Sequence, residues 1–350
     1  MANKRDCNEV DIAPKDARDE KKFDLPGLAM RASKIGATGL SLAAISYFSI
    51  LGVERATDPP DGPSIHWVSD RTTCENSDFI VIHNSGTGKE TGEHIATNNR
   101  KLIESFGGCA MYLVYGYTYQ PAESAKVLSN TIEAFVKDAN KRKLVLIGSS
   151  FGGIAWEEIA THPAVRDSPF IDILAIVMES SPTSMKDVKG DILGLPASDV
   201  ANLRIPIIRP FVLANNLLDI IERKDDINSL TVKNAAINAA ETRPQLVDSQ
   251  LAETIRGLEP HEIRSDVRIF YIHSPKTDDM INTVKSLGTL RRMTNATITE
   301  LAIEGAGHAT SWLDFKYDKT KPAYEEVLRW VSDIIHPPQP SGGGASMRKV

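Results

Sequence analysis

One stretch, LVLIGSSFGGIAWEEIATHP at residues 144–163, limits the folds open to this chain more than any other. Its aliphatic start reads as a strand buried on both faces. A glycine-rich turn follows, then a helical pattern that Pro163 stops. Glycine is needed where chain segments approach too closely for a Cβ. Three glycines (Gly148, Gly152, Gly153) beside Ser149 and Ser150 are more than an ordinary strand-to-helix turn requires. The spacing is G-x-S-x-G, with Ser150 at its centre and Ser149 as its neighbour. Such a turn forces the central residue into a strained backbone and lifts its hydroxyl clear of the sheet. The following helix offers unbonded N–H groups to developing negative charge.

The flanking sequence continues the same alternation. Short β-branched or aromatic runs at 79–83 (FIVIH), 111–115 (MYLVY), 171–178 (IDILAIVM), 267–272 (VRIFYI) and 297–303 (TITELAI) read as further strands. Helical patterns at 123–140, 152–162, 277–293 and 323–335 lie between or after them. Strands alternating with helices predict an α/β fold with a mostly parallel sheet. The alternation breaks between Pro182 and Asp266, where helix-like stretches replace buried strands. An insertion there, 183–265, reads as a helical cap, and the core as 75–182 plus 266–336. The apolar stripes in the cap, IPIIRPFVL at 205–213 and LLDII at 217–221, could line an acyl pocket, although such stripes more often form a cap's own core.

Composition matters most for what lies outside this core. The 350 residues carry 40 Lys and Arg against 46 Asp and Glu, a net charge of −6 that argues against coating nucleic acid. Residues 1–34 are polar and charged, too poor in apolar surface to offset ordering entropy. Residues 54–74 read as a linker on the prolines of ERATDPPDGP, and 337–350 as a flexible tail. Between tail and linker, residues 35–53 (IGATGLSLAAISYFSILGV) contain no charge, in a chain where 25% of residues are charged. Nineteen helical residues span about 28 Å, close to a bilayer's hydrocarbon thickness. This segment is a candidate transmembrane anchor. Lys15, Arg18, Lys21, Lys22, Arg31 and Lys34 precede it, and only Arg55 and Arg71 follow at comparable distance. The positive-inside rule then places the N-terminus in the cytoplasm and the main domain outside, where Cys74 and Cys109 would share an oxidising compartment and a pair is possible, although spacing alone does not support it. The alternative is a cytoplasmic protein whose three cysteines, Cys7, Cys74 and Cys109, are free thiols.

The segment around Ser150 resembles the nucleophile elbow of the α/β-hydrolase superfamily, and the resemblance covers about residues 75–182 and 266–336. It implies that fold with an inserted helical cap, and a triad in the chain order Ser, acid, His. Of eight histidines, His308 in Glu-Gly-Ala-Gly-His directly after the last expected strand is similar to the superfamily's histidine loop. The acid stays open. The strand VRIFYI leads into His-Ser-Pro-Lys-Thr-Asp-Asp-Met-Ile, where Asp278 fits the family spacing best and Asp279 next. Glu179 is a third candidate, because some relatives carry the acid one strand earlier. The other aspartate would cap the following helix. The resemblance also implies an oxyanion hole from the N–H groups of Ser85 and Phe151, although Asn84 stands where the family's loop has glycine.

The expected chemistry is hydrolysis of a carboxylic ester, lipid-like or with a small acyl group, without metal or cofactor. The sequence contains no H-E-x-x-H and no paired C-x-x-C. A peptidase or thioesterase with the same triad, and a non-catalytic hydrolase-like binding protein, are the alternatives. A phosphate-loop reading of Asn-Ser-Gly-Thr-Gly-Lys-Glu fails: His83 stands where that motif needs its first glycine, and Glu90 where it needs Ser or Thr.

Overall fold

The computed structural model describes residues 62–84, 86, 91–115, 119–135, 141–184, 187, 191–192, 195–196, 267–278, 281–306 and 319–337. Residues 1–34, the 35–53 run, nearly all of 183–265, and the tail beyond 337 therefore lie outside the described residues, as do Ser85, Asp279 and His308.

The strands are β1 (Ser64–Trp67), β2 (Phe79–Asn84), β3 (Gly108–Val114), β4 (Arg142–Ser149), β5 (Ile171–Glu179), β8 (Arg268–His273) and β9 (Thr297–Ala302). The helices are α1 (Arg71–Asn76), α2 (Thr91–Ser105), α3 (Pro121–Glu133), α4 (Phe151–Thr161), α5 (Pro163–Arg166), α6 (Thr283–Met293) and α7 (Lys321–Ile335). Within the insertion, β6 (Asp191–Ile192) and β7 (Leu195–Pro196) form a small antiparallel pair.

Seven strands form one sheet in the order β1-β3-β2-β4-β5-β8-β9, parallel except for β1, which runs antiparallel to β3. This order, with the serine turn leaving the middle strand, is the α/β-hydrolase fold. β2 and β4 are buried along most of their length, as expected of parallel strands covered on both sides. Alternate side chains divide into two cores. One face (Ile80, Ile82, Leu144, Leu146, Ile176, Tyr271) packs on α3, α4 and α6. The other (Val81, Val145, Ile147, Val177, Ile272) packs on α2 and α7, through Ile103, Tyr324, Val327 and Val331.

Three expectations need adjustment. The stretch read as a linker, 54–74, contains β1 and the start of α1, with Asp70 capping α1 by accepting from Thr73 N. The helix expected from residue 277 begins at Thr283, and its cap is Asn282, which accepts from Lys285 N. Asp278 instead closes a tight turn ahead of it, accepting from Ile281 N at 2.8 Å. Finally, Cys74 and Cys109 are joined in a disulfide, with Cα atoms 4.9 Å apart and both residues fully buried. The reading of three free thiols is corrected by this bond, which spacing in sequence could not reveal. Among the described residues, no helix is long and apolar enough to cross a membrane.

Candidate active site

A parallel sheet sends all its strand C-termini to one end. The chain leaves β2 in one direction, to β3, and returns to the other side of β2 for β4. The crevice between the C-termini of β2 and β4 is therefore the sheet's switch point, where ligands bind in open α/β sheets. Ser150 stands there.

Its backbone adopts φ 54° and ψ −127°. For a non-glycine residue this costs about 1–3 kcal/mol and persists only where the surroundings over-determine it. Several contacts do so. Ser150 N–H donates to the Glu179 carbonyl at 2.8 Å, and Gly153 N–H donates back to the Ser150 carbonyl at 3.3 Å. Gly148 lets the first turn of α4 fold over the strand end: a Cβ on Gly148 would lie 2.2 Å from the Gly152 carbonyl carbon. A Cβ on Gly153 would lie 2.1 Å from Ser181 Oγ. The indole of Trp156 donates to the Ile147 carbonyl at 2.9 Å and pins α4 to β4.

The loop after β2 reaches the same point. A Cβ built on Gly86 would lie 3.1 Å from Ser150 Cβ and 3.4 Å from its Oγ, so this loop lies directly against the serine. Ser85, one residue earlier, lies outside the described residues. Phe151 is the first residue of α4, where a backbone N–H has no acceptor within the helix. Its ring meets Tyr119 and Tyr115 edge to face, at 5.0 and 6.1 Å between centroids. The Tyr119 hydroxyl donates to Glu158 at 2.8 Å. Burial, and then the Glu158 carboxylate, hold that hydroxyl well above its ordinary pKa, so it stays a donor.

The loops after β8 and β9 are laced together. Ile303 N–H donates to the His273 carbonyl at 2.8 Å, and Ser274 Oγ donates to the Ile303 carbonyl at 2.8 Å. Thr277 Oγ1 donates to the Ala306 carbonyl. Asp278, 1% exposed, thus sits on a loop fastened to residues 303–306, two positions short of His308. His308 and Asp279 lie outside the described residues. Glu179, also 1% exposed, ends β5 beside the elbow. Its Oε2 accepts from Ser149 Oγ at 2.7 Å and from the Tyr324 hydroxyl at 3.0 Å. Neither partner stands out in the sequence, because a serine beside a nucleophile and a tyrosine in an amphipathic helix both read as ordinary. Among the described residues, no group of three or more His, Cys, Asp or Glu could hold a metal ion.

Among solved structures, the chain is similar to a monoacylglycerol lipase from Paleococcus ferrophilus, at 12% identity over 77% of this chain and 98% of that one, with a TM-score of 0.47. It is also similar to an esterase from Exiguobacterium antarcticum, at 14% identity, 74% and 93% coverage and a TM-score of 0.43. A type II thioesterase from the borrelidin biosynthetic cluster gives 15% identity, 78% and 97% coverage and a TM-score of 0.42. No family model and no curated protein matches the chain. The fold assignment rests on the strand order, and no activity is carried over from these distant structures.

Proposed function

Starting from an α/β-hydrolase fold with a strained serine at its switch point, we propose that this chain is a serine-dependent hydrolase of carboxylic esters. The observation that carries the reading is Ser150 itself: φ 54°, at the head of α4, with the loop after β2 against its Oγ. A serine held at that energetic cost, in the position where such sheets bind ligands, supports a chemical role for it.

Ser150 Oγ attacks the ester carbonyl carbon while His308 takes its proton. Asp278 fixes the imidazole tautomer and stabilises the imidazolium. The N–H groups of Phe151 and Ser85 stabilise the tetrahedral oxyanion. The C–O bond to the alcohol breaks, and the alcohol leaves with the proton from His308. Water then attacks the acyl-enzyme, His308 taking its proton, and the carboxylic acid departs as Ser150 is reprotonated. The position of Asp278, on a loop bonded to 303–306, favours it over Glu179 as the acid. The substrate is a small or lipid-like acyl ester. Peptides and thioesters are the competing classes for the same triad.

A fluorophosphonate probe and a panel of p-nitrophenyl esters of increasing chain length test this. Wild-type protein is expected to label and to turn over at least one ester, and Ser150→Ala to do neither. A folded wild-type protein that neither labels nor turns over would identify a hydrolase-like binding protein instead. Asp278→Asn is expected to lower kcat by roughly 10³- to 10⁴-fold, the size of effect known for a mis-set histidine tautomer.

We further infer that residues 35–53 anchor the chain in a membrane, with 1–34 in the cytoplasm and the hydrolase domain outside. The excess of basic residues before the run supports this orientation. The buried Cys74–Cys109 bond supports it independently, because disulfides persist in oxidising compartments.

A further inference from the structure

Glu179 is a buried carboxylate that the mechanism above does not use. Resting on the ester-hydrolase reading, we propose that it is a positioning residue that holds the elbow and the helix after the histidine loop in one register, and is not the triad acid.

The geometry around it is unusual for a strand end. Its side chain lies on the same sheet face as Ala175 and Val177, toward α7 and away from the helix that Ser150 starts. A buried carboxylate is unfavourable unless it is well hydrogen-bonded, and an aliphatic residue would fill such a place without that penalty. What the carboxylate adds is connection. One oxygen, Oε2, receives both the Ser149 hydroxyl and the Tyr324 hydroxyl. The same residue's main-chain carbonyl receives the Ser150 N–H. Glu179 is therefore bonded to the residue before the nucleophile, to the nucleophile's own amide, and to the first turn of α7. That helix begins at Lys321, thirteen positions after His308 in sequence. The strained turn and the first turn of α7 are tied to a single side chain. Loss of that tie would misplace Ser150 relative to His308 while leaving the substrate's binding surface in place.

The test measures the rate of fluorophosphonate labelling, together with kcat and KM for one p-nitrophenyl ester, on purified full-length protein. Glu179→Gln and Tyr324→Phe are each expected to slow labelling and kcat by between about 10- and 100-fold, the scale of a misplaced reacting group. KM is expected to stay within about twofold. The double variant is expected to be no slower than Glu179→Gln alone, because both changes break the same tie. The acidic limb of the kcat/KM profile is expected to keep its midpoint in Tyr324→Phe. If Glu179→Gln does not fold, Tyr324→Phe and Ser149→Ala decide the matter by the same rates. Labelling at the wild-type rate in these variants overturns the proposal. So does an Asp278→Asn enzyme that labels normally while Glu179→Gln falls to the Ser150→Ala background, which would make Glu179 the acid. Failure of wild-type protein to label overturns the ester-hydrolase reading itself, and is distinguished by appearing before any substitution is made.

Discussion

Ser150 keeps its left-handed backbone because its neighbours are too small to push it out. Two of the three glycines around it, Gly148 and Gly153, are not equivalent. A methyl group on Gly148 would meet main-chain atoms of Gly152 and Gly153 at 2.2–2.3 Å, and backbone cannot step aside. On Gly153 it would meet the hydroxyl of Ser181, the end of a short side chain, although Ser181 Cβ follows at 3.0 Å. Gly148→Ala is therefore expected to destabilise the fold by about 3 kcal/mol or more, and Gly153→Ala by less, in urea denaturation. His83, one residue before the end of β2, is fully buried, and burial pushes its pKa down to about 3. Its unfolded-state value is near 6.5. Because the folded value is the lower one, the stabilisation is complete above about pH 6.5 and is lost progressively as pH falls toward 3. Denaturation curves at pH 6.5 and pH 5 are expected to differ by about 2 kcal/mol from this group, and by less in His83→Gln.

Elements differ in how much of their structure is written locally. The interior parallel strands β2, β3, β4, β5 and β8 were legible because burial on both faces demands continuous apolar runs. The edge strand β1 was less so. β1 is a four-residue strand with two exposed positions, and its pairing with β3 depends on residues 44 or more positions away. The start of α6 was misplaced because an aspartate at 278 or 279 reads as the cap, and only the fold shows that Asn282 serves. At the site, Ser150 was legible from glycine spacing, whereas the contact of Gly86 with it and the bonds of Tyr324 and Ser274 join elements far apart in sequence. The Cys74–Cys109 bond is of the same kind: it fastens α1 to β3 across 35 residues. Closing a loop of that length restricts the unfolded chain by about 4 kcal/mol. Cys74→Ala with Cys109→Ala is expected to lower stability by up to that amount, and reduction of the wild type under denaturing conditions to prevent refolding to the same midpoint.

For the whole molecule, the parallel sheet collects the ends of β2, β4, β5, β8 and β9 at one rim, so a site can be assembled there from loops spread over more than two hundred residues. Fractionation tests the anchor at this scale. Full-length protein is expected to remain with membranes through alkaline carbonate washing, and protein lacking residues 1–60 to be released. Full-length protein that stays in the supernatant without detergent removes the anchor. If residues 35–53 anchor the chain as proposed, the position of the disulfide has a mechanical consequence. A pull arriving through the N-terminal segment first meets β1, which is held by one neighbour and can be peeled away residue by residue. The peel ends at Cys74, where the force passes covalently into β3 and so into the body of the sheet. Tension on the tether would therefore be spent on the edge before it reached the rim where Ser150 sits.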